Sequence, residues 1–241
     1  MRKKSGWTIA CLGDSLTAGN PGSAYVPRLR KRLPGDVLIN RGRGGETVLS
    51  LHRRLKGDPA PDPWDIALLW VGVNDVFARV TPWRGALKLL RRQPWARDPD
   101  EFVRRYSRLF DLVSGHADRL LLVPPLLIGE DVDNPWNREL GEMSRRIEDL
   151  ASRRPNAIFS RLRSVFLERL EGRETMPYVP RRAMRVLRDA LRSPAGRRKA
   201  RSESASGLIL TVDGVHLNRE GAQLAANVLA REIKALRSPR P

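Results

Sequence analysis

Cysteine is almost absent: Cys11 is the only one in 241 residues, which excludes a disulfide framework and suits a reducing compartment. The cytoplasm is the expected location on that ground. Metal ligands are equally scarce, because that cysteine lies inside an apolar run and no His or Cys cluster has ligand spacing. No metal and no cofactor is expected. There is also no run of about 18 apolar residues, so a membrane-spanning helix is excluded. Arg2-Lys3-Lys4 has the sign of a secretory leader's basic end, but the apolar stretch from Trp7 to Leu12 is too short and no small-residue cleavage site follows. That stretch reads as a first strand, with Cys11 as a small core residue.

Acidic residues are few beside basic ones, 27 against 45, and the formal charge is +18. Such a surplus attracts nucleic acid, anionic lipid headgroups or acidic polymers, so a basic binding module is one function class to weigh. Arginine makes up 38 of the 45, a skew that a GC-rich genome also produces, and nucleic acid is not the expected partner. The charge is uneven. From Arg173 to Arg201 ten basic residues face only Glu174 and Asp189, a net of +8 in 29 residues.

The length suits one domain, 1–241, with a substantial core. Apolar runs with β-formers alternate with helical periodicity, which argues a parallel α/β sheet. Strands are expected at Trp7–Leu12, Val37–Asn40, Ile66–Val71, Arg119–Val123 and, briefly, Ala157–Phe159. Helices are expected at Ala24–Leu33, Val48–Leu55, Asp100–Gly115, Asn137–Arg153 and Arg219–Leu236. No internal repeat is visible.

The chemistry sits at the punctuation between these elements. Of the three histidines only His216 has an acid three residues before it, Asp213, close enough to share one turn and reach the ring. A serine hydroxyl is a weak nucleophile, and it needs an imidazole to take its proton and a carboxylate to hold that imidazole's tautomer. Ser15 stands after the first strand in Gly13-Asp14-Ser15-Leu16. It would serve equally as a helix N-cap. A strand's carboxyl end near a helix N-terminus is, however, where open α/β sheets place ligands and where a developing anion is favoured. The second strand empties into Arg41-Gly42-Arg43-Gly44-Gly45, whose glycines let the backbone turn and expose N–H groups; the third ends in Gly72-Val73-Asn74-Asp75. A backbone donor loop and an asparagine amide beside the serine are the parts of an oxyanion hole.

These blocks, in this order, resemble the SGNH or GDSL hydrolases. The resemblance spans nearly the whole chain, with Asn40 to Thr47 and Asp213-Gly214-Val215-His216-Leu217-Asn218 as its longer blocks and Val123-Pro124-Pro125 as a weaker echo. It implies a three-layer α/β/α, flavodoxin-like fold around a parallel sheet of about five strands in the order 2-1-3-4-5. It implies Ser15 as nucleophile, His216 as base and Asp213 as its orienting acid. Gly45 and Asn74 would join the Ser15 amide as oxyanion donors, with adjacent Gly44 the alternative to Gly45. Val73 replaces the family's more frequent threonine, a change that touches no catalytic group. The implied activity is that of a serine esterase acting on small-molecule, lipid or sugar esters, with a basic binding module of vestigial catalysis as the alternative.

Two stretches exceed what that family's fold needs. One, 173–206, is expected to carry a helix near Arg181–Arg192 and a tail over Ser193–Ser206. The other, 76–97, holds a short basic amphipathic helix, Ala86 to Arg92, between Trp83 and Trp95. That helix is expected to pack its apolar face on the sheet; weak contact with an anionic membrane surface, or the capping of an acyl pocket, is the alternative. Rival folds fail on the same residues. A nucleophile elbow needs glycine where Thr17 stands, and a dinucleotide fingerprint begun at Gly42 needs glycine at Thr47.

Overall fold

The computed structural model describes residues 6–59, 62–80, 82–90, 93–174 and 208–237. Five parallel strands form the centre: β1 (Thr8–Gly13), β2 (Val37–Gly42), β3 (Trp64–Trp70), β4 (Ala117–Val123) and β5 (Ala157–Phe159), in the order β2-β1-β3-β4-β5. Ile9 to Leu12 and Ile66 to Trp70 are buried along their whole length, because helices cover both faces and leave no solvent side for alternation to report. The right-handed rule for parallel crossovers then assigns the faces. Helix α2 (Val26–Arg32) packs with the last helix, α9 (Arg219–Arg237), on one side. Helices α3 (Val48–Gly57), α6 (Pro99–Ser114) and α7 (Pro135–Ser152) pack in sequence on the other.

Register decides where function can sit. Gly13 pairs with Gly42 on one side and Trp70 on the other, and Trp70 pairs with Val123. Strands β1 to β4 therefore end level, and the loops after them leave from one edge. Close approach there requires glycine: a Cβ on Gly13 would lie 2.2 Å from the Trp70 carbonyl oxygen and 2.7 Å from Thr17 Oγ1. Behind this edge Tyr25 and Trp70 stack at a tilt with ring centroids 5.2 Å apart, an arrangement worth roughly 0.5–1.5 kcal/mol beyond burial.

The strands and long helices fall within two residues of their expected bounds. Three short helices were not anticipated: α1 (Ser15–Ala18), α4 (Val73–Phe77) and α8 (Leu162–Leu170). Helix α5 spans Pro82–Leu90, starting a turn before the expected Ala86. On it Lys88 is buried at 7% exposure while Leu89 and Leu90 are exposed at 64% and 82%, so these two leucines do not pack on the sheet as an apolar face was expected to. Lys88 has a backbone partner, described below. The expected helix at Arg181–Arg192 and tail at Ser193–Ser206 lie outside the described residues.

Candidate active site

The loop after β1 is built around Asp14. It is the N-cap of α1, its Oδ1 accepting the Leu16 amide at 2.9 Å, so Ser15 is the first helical residue and not the cap. The capping leaves the Ser15 hydroxyl for other work. Burial pushes the Asp14 carboxyl up to about 6, opposed by the Leu16 amide, by the charges of His216 and Lys88 and by the Asn74 amide.

Ser15 Oγ lies 2.9 Å from His216 Nε2, and His216 Nδ1 lies 2.7 Å from Asp213 Oδ2. A proton on Nδ1, held by the carboxylate, leaves Nε2 as the acceptor facing the serine. The other carboxylate oxygen, Oδ1, accepts the Val215 and His216 amides at 3.0 and 2.8 Å. The three-residue spacing thus closes a side-chain turn, which fixes the ring with both ends of one carboxylate. Burial acts to raise the Asp213 pKa, but the His216 imidazole and the two amides outweigh it and hold the carboxyl below the usual range.

A residue that sequence reasoning missed holds this loop in place. Glu130, wholly buried, accepts from the amides of Ile209, Leu210 and Thr211 and from Thr211 Oγ1 at 2.6–2.8 Å. Four donors on one carboxylate satisfy most of its lone-pair sites, so its burial is compensated. Gly129 N donates to Gly214 O at 2.7 Å, and the Thr211–Leu217 bridge closes the loop behind His216. Glu130 stands between the apolar run Leu126–Ile128 and the acids Asp131 and Asp133, so nothing local singles it out.

The oxyanion candidates lie on the neighbouring loops. Asn74 is the second residue of α4, and its Nδ2 donates to Asp14 Oδ2 at 3.2 Å, which commits one of two amide protons and sets the plane of the group. Arg43 N donates to Gly13 O at 2.9 Å and ties the glycine loop to the end of β1. Gly45 takes the left-handed region at φ +79°, whereas a Cβ on exposed Gly44 would meet nothing, so glycine is required at 45 and optional at 44. Beyond the loop, Asp75 accepts Val48 N at 3.0 Å and Ala96 N at 2.9 Å. Burial drives this carboxyl up to about 7, partly offset by those amides and by Lys88.

The structure brings Ser15, His216 and Asp213 into direct contact, joins Asn74 to them through Asp14, and sets the Gly45 loop against the end of β1. Fold and site together define a serine ester hydrolase of the SGNH type. A model of the GDSL-like lipase/acylhydrolase family matches residues 11–224, and the chain belongs to that family. No curated protein matches it. Among solved structures it is similar to Axe2, an acetylxylan esterase from Geobacillus stearothermophilus, with TM-score 0.69, 21% identity, and 97% of this chain and 96% of that one covered. LAE5, an alpha/beta hydrolase enzyme from the metagenome of Lake Arreo, Spain, gives 0.67 and 18%, covering 96% and 97%. The acetyl xylan esterase AlAXEase gives 0.65 and 23%, covering 94% and 99%. The matches to Axe2 include catalytic mutants in which a serine, an aspartate or a histidine is replaced by alanine. Among the described residues no group of His, Cys, Asp and Glu is placed to hold a metal, and no helix is long and apolar enough to cross a membrane.

Proposed function

We propose that the chain cleaves carboxylic esters through an acyl-enzyme on Ser15. The observation that carries this is the continuous chain of contacts from Ser15 Oγ through His216 to Asp213, at 2.9 and 2.7 Å. As Oγ attacks the ester carbonyl, its proton passes to His216 Nε2, and the imidazolium is stabilised by the ionised Asp213. The tetrahedral oxyanion is received by the Ser15 amide, the Gly45 amide and Asn74 Nδ2. Collapse expels the alcohol, which takes the proton from Nε2. Water, deprotonated by the same nitrogen, then releases the acid and restores Ser15. No step calls for a cofactor.

Acetyl esterases among the structural neighbours support a short acyl group, and with it a sugar or small alcohol as the leaving half. A p-nitrophenyl ester panel from acetate to palmitate tests the esterase reading and the acyl preference. Turnover is expected to be fastest at acetate or butyrate and to fall with chain length, and failure to hydrolyse any member would remove the esterase reading. The alternative of a basic module for nucleic acid or anionic lipid rests on the stretch 173–201, nearly all of it outside the described residues. An assembled triad gives the hydrolase the better support, and one hydrolase domain over 1–241 is proposed with it.

Asn74→Ala checks the oxyanion assignment. Loss of one preorganised donor is expected to lower kcat by about 10² to 10³, with KM little changed, because the donor acts on charge present only in the transition state. An unchanged kcat in steady-state assays would mark Asn74 as a turn residue held by Asp14.

A further inference from the structure

The segment that follows Asn74 reaches back over the glycine loop. Lys88 Nζ, buried on α5, donates to Gly45 O at 2.6 Å, and Gln93 Nε2 donates to Gly44 O at 3.4 Å. Gln93 N in turn bonds Lys88 O at 2.9 Å, while Thr47 Oγ1 donates to Pro94 O and Asp75 ties Ala96 to Val48. Both carbonyls flanking the Gly45 α-carbon are therefore engaged from one side by one short stretch of chain. A trans peptide is planar, with its N–H opposed to its C=O. The Gly45 amide shares its plane with Gly44 O, which Gln93 holds, and Lys88 holds the following plane through Gly45 O, so the two contacts together set the backbone on both sides of the Gly45 α-carbon.

This matters because Gly45 sits at φ +79° on a loop rich in glycine, whose freedom is the thing a preorganised donor must lose. A buried ammonium is also costly unless partnered, and the bond to Gly45 O is one partner. Its charge is felt at Asp14 and Asp75, where it opposes the effect of burial on each carboxyl. Glu46, the remaining acid of the loop, is taken by Arg54 through two contacts of 2.7 Å. None of this follows from the motif blocks, since Lys88 and Gln93 lie in the stretch 76–97 beyond them.

We propose that Lys88 and Gln93 are positioning residues that together fix the backbone on either side of Gly45, and with it the amide that receives the oxyanion. The inference rests on the serine esterase reading above. It is tested in the full-length chain with Lys88→Met, which keeps an unbranched stem and removes the charged donor, and with Gln93→Ala, which removes a half-buried side chain. On p-nitrophenyl acetate, Lys88→Met is expected to lower kcat by about tenfold to a hundredfold with KM within about threefold, since a donor is displaced and not removed. Gln93→Ala is expected to lower kcat by about twofold to tenfold. The rate of inactivation by a fluorophosphonate, whose adduct is tetrahedral at phosphorus, should fall in parallel with kcat in each folded variant. A merely structural lysine would lower the melting temperature and the fraction of active enzyme, leaving kcat per labelled site unchanged. Folded Lys88→Met with kcat and inactivation rate within twofold of wild type overturns the proposal. Where Lys88→Met does not fold, Gln93→Ala decides it: a lower kcat at unchanged KM supports the proposal and an unchanged kcat overturns it. A wild-type chain that no fluorophosphonate labels would instead remove the serine reading, an outcome distinct from either.

Discussion

Ser15→Ala is expected to lower kcat by about 10⁴ to 10⁶ on any ester the wild-type chain turns over, because the hydroxyl that would carry the acyl group is removed. The residual rate would come from the oxyanion donors and from binding alone. Little else should change. Ser15 is buried at 6% exposure, and its hydroxyl is hydrogen-bonded with His216 Nε2 at 2.9 Å. Loss of one neutral hydrogen bond costs about 1 kcal/mol, too little to unfold a domain with this core. Parallel measurement of kcat and the thermal midpoint separates the two effects. A variant retaining a tenth of the wild-type kcat would place the chemistry elsewhere.

Asp213→Asn is expected to lower kcat by about 10⁴ while leaving the loop in place. The amide oxygen can still accept from Val215 and His216 N, as Asp213 Oδ1 does at 3.0 and 2.8 Å. What changes is the atom facing His216 Nδ1. An NH₂ group there donates where the carboxylate accepted, so the favoured tautomer carries its proton on Nε2, pointing at the serine and unable to take another. Because the wild-type carboxyl is held below the ordinary range, Asp213 stays ionised through mildly acid conditions, and the loss in the variant should persist across the neutral pH range. A pH series of kcat checks this; full activity in Asp213→Asn at neutral pH would contradict the assigned orienting role.

The parts of this site visible in the sequence are those whose signal is local. Buried parallel strands such as Thr8–Gly13 and Trp64–Trp70 announce themselves as apolar runs, and Asp213 and His216 reach each other within one turn. The short helices escaped because Ser15–Ala18 and Val73–Phe77 are too brief for periodicity to register, and Gly72-Val73-Asn74-Asp75 reads as a turn. Glu130 was missed for a different reason. Its partners, Ile209 to Thr211, lie about 80 residues away, and no local pattern encodes a clamp across that separation. Lys88 shows the limit most sharply: an amphipathic pattern says that an apolar face will pack, but not that Lys88 will be buried against the Gly45 carbonyl while Leu89 and Leu90 stay exposed.

Ester hydrolysis through a covalent adduct on Ser15 makes one demand that a single experiment meets. Incubation of the wild-type chain with a fluorophosphonate, followed by proteolysis and peptide mass mapping, should give a stoichiometric adduct on the peptide containing Ser15. Labelling should disappear in Ser15→Ala. An adduct on another residue, or equal labelling of the alanine variant, would contradict the assignment of Ser15 as the nucleophile.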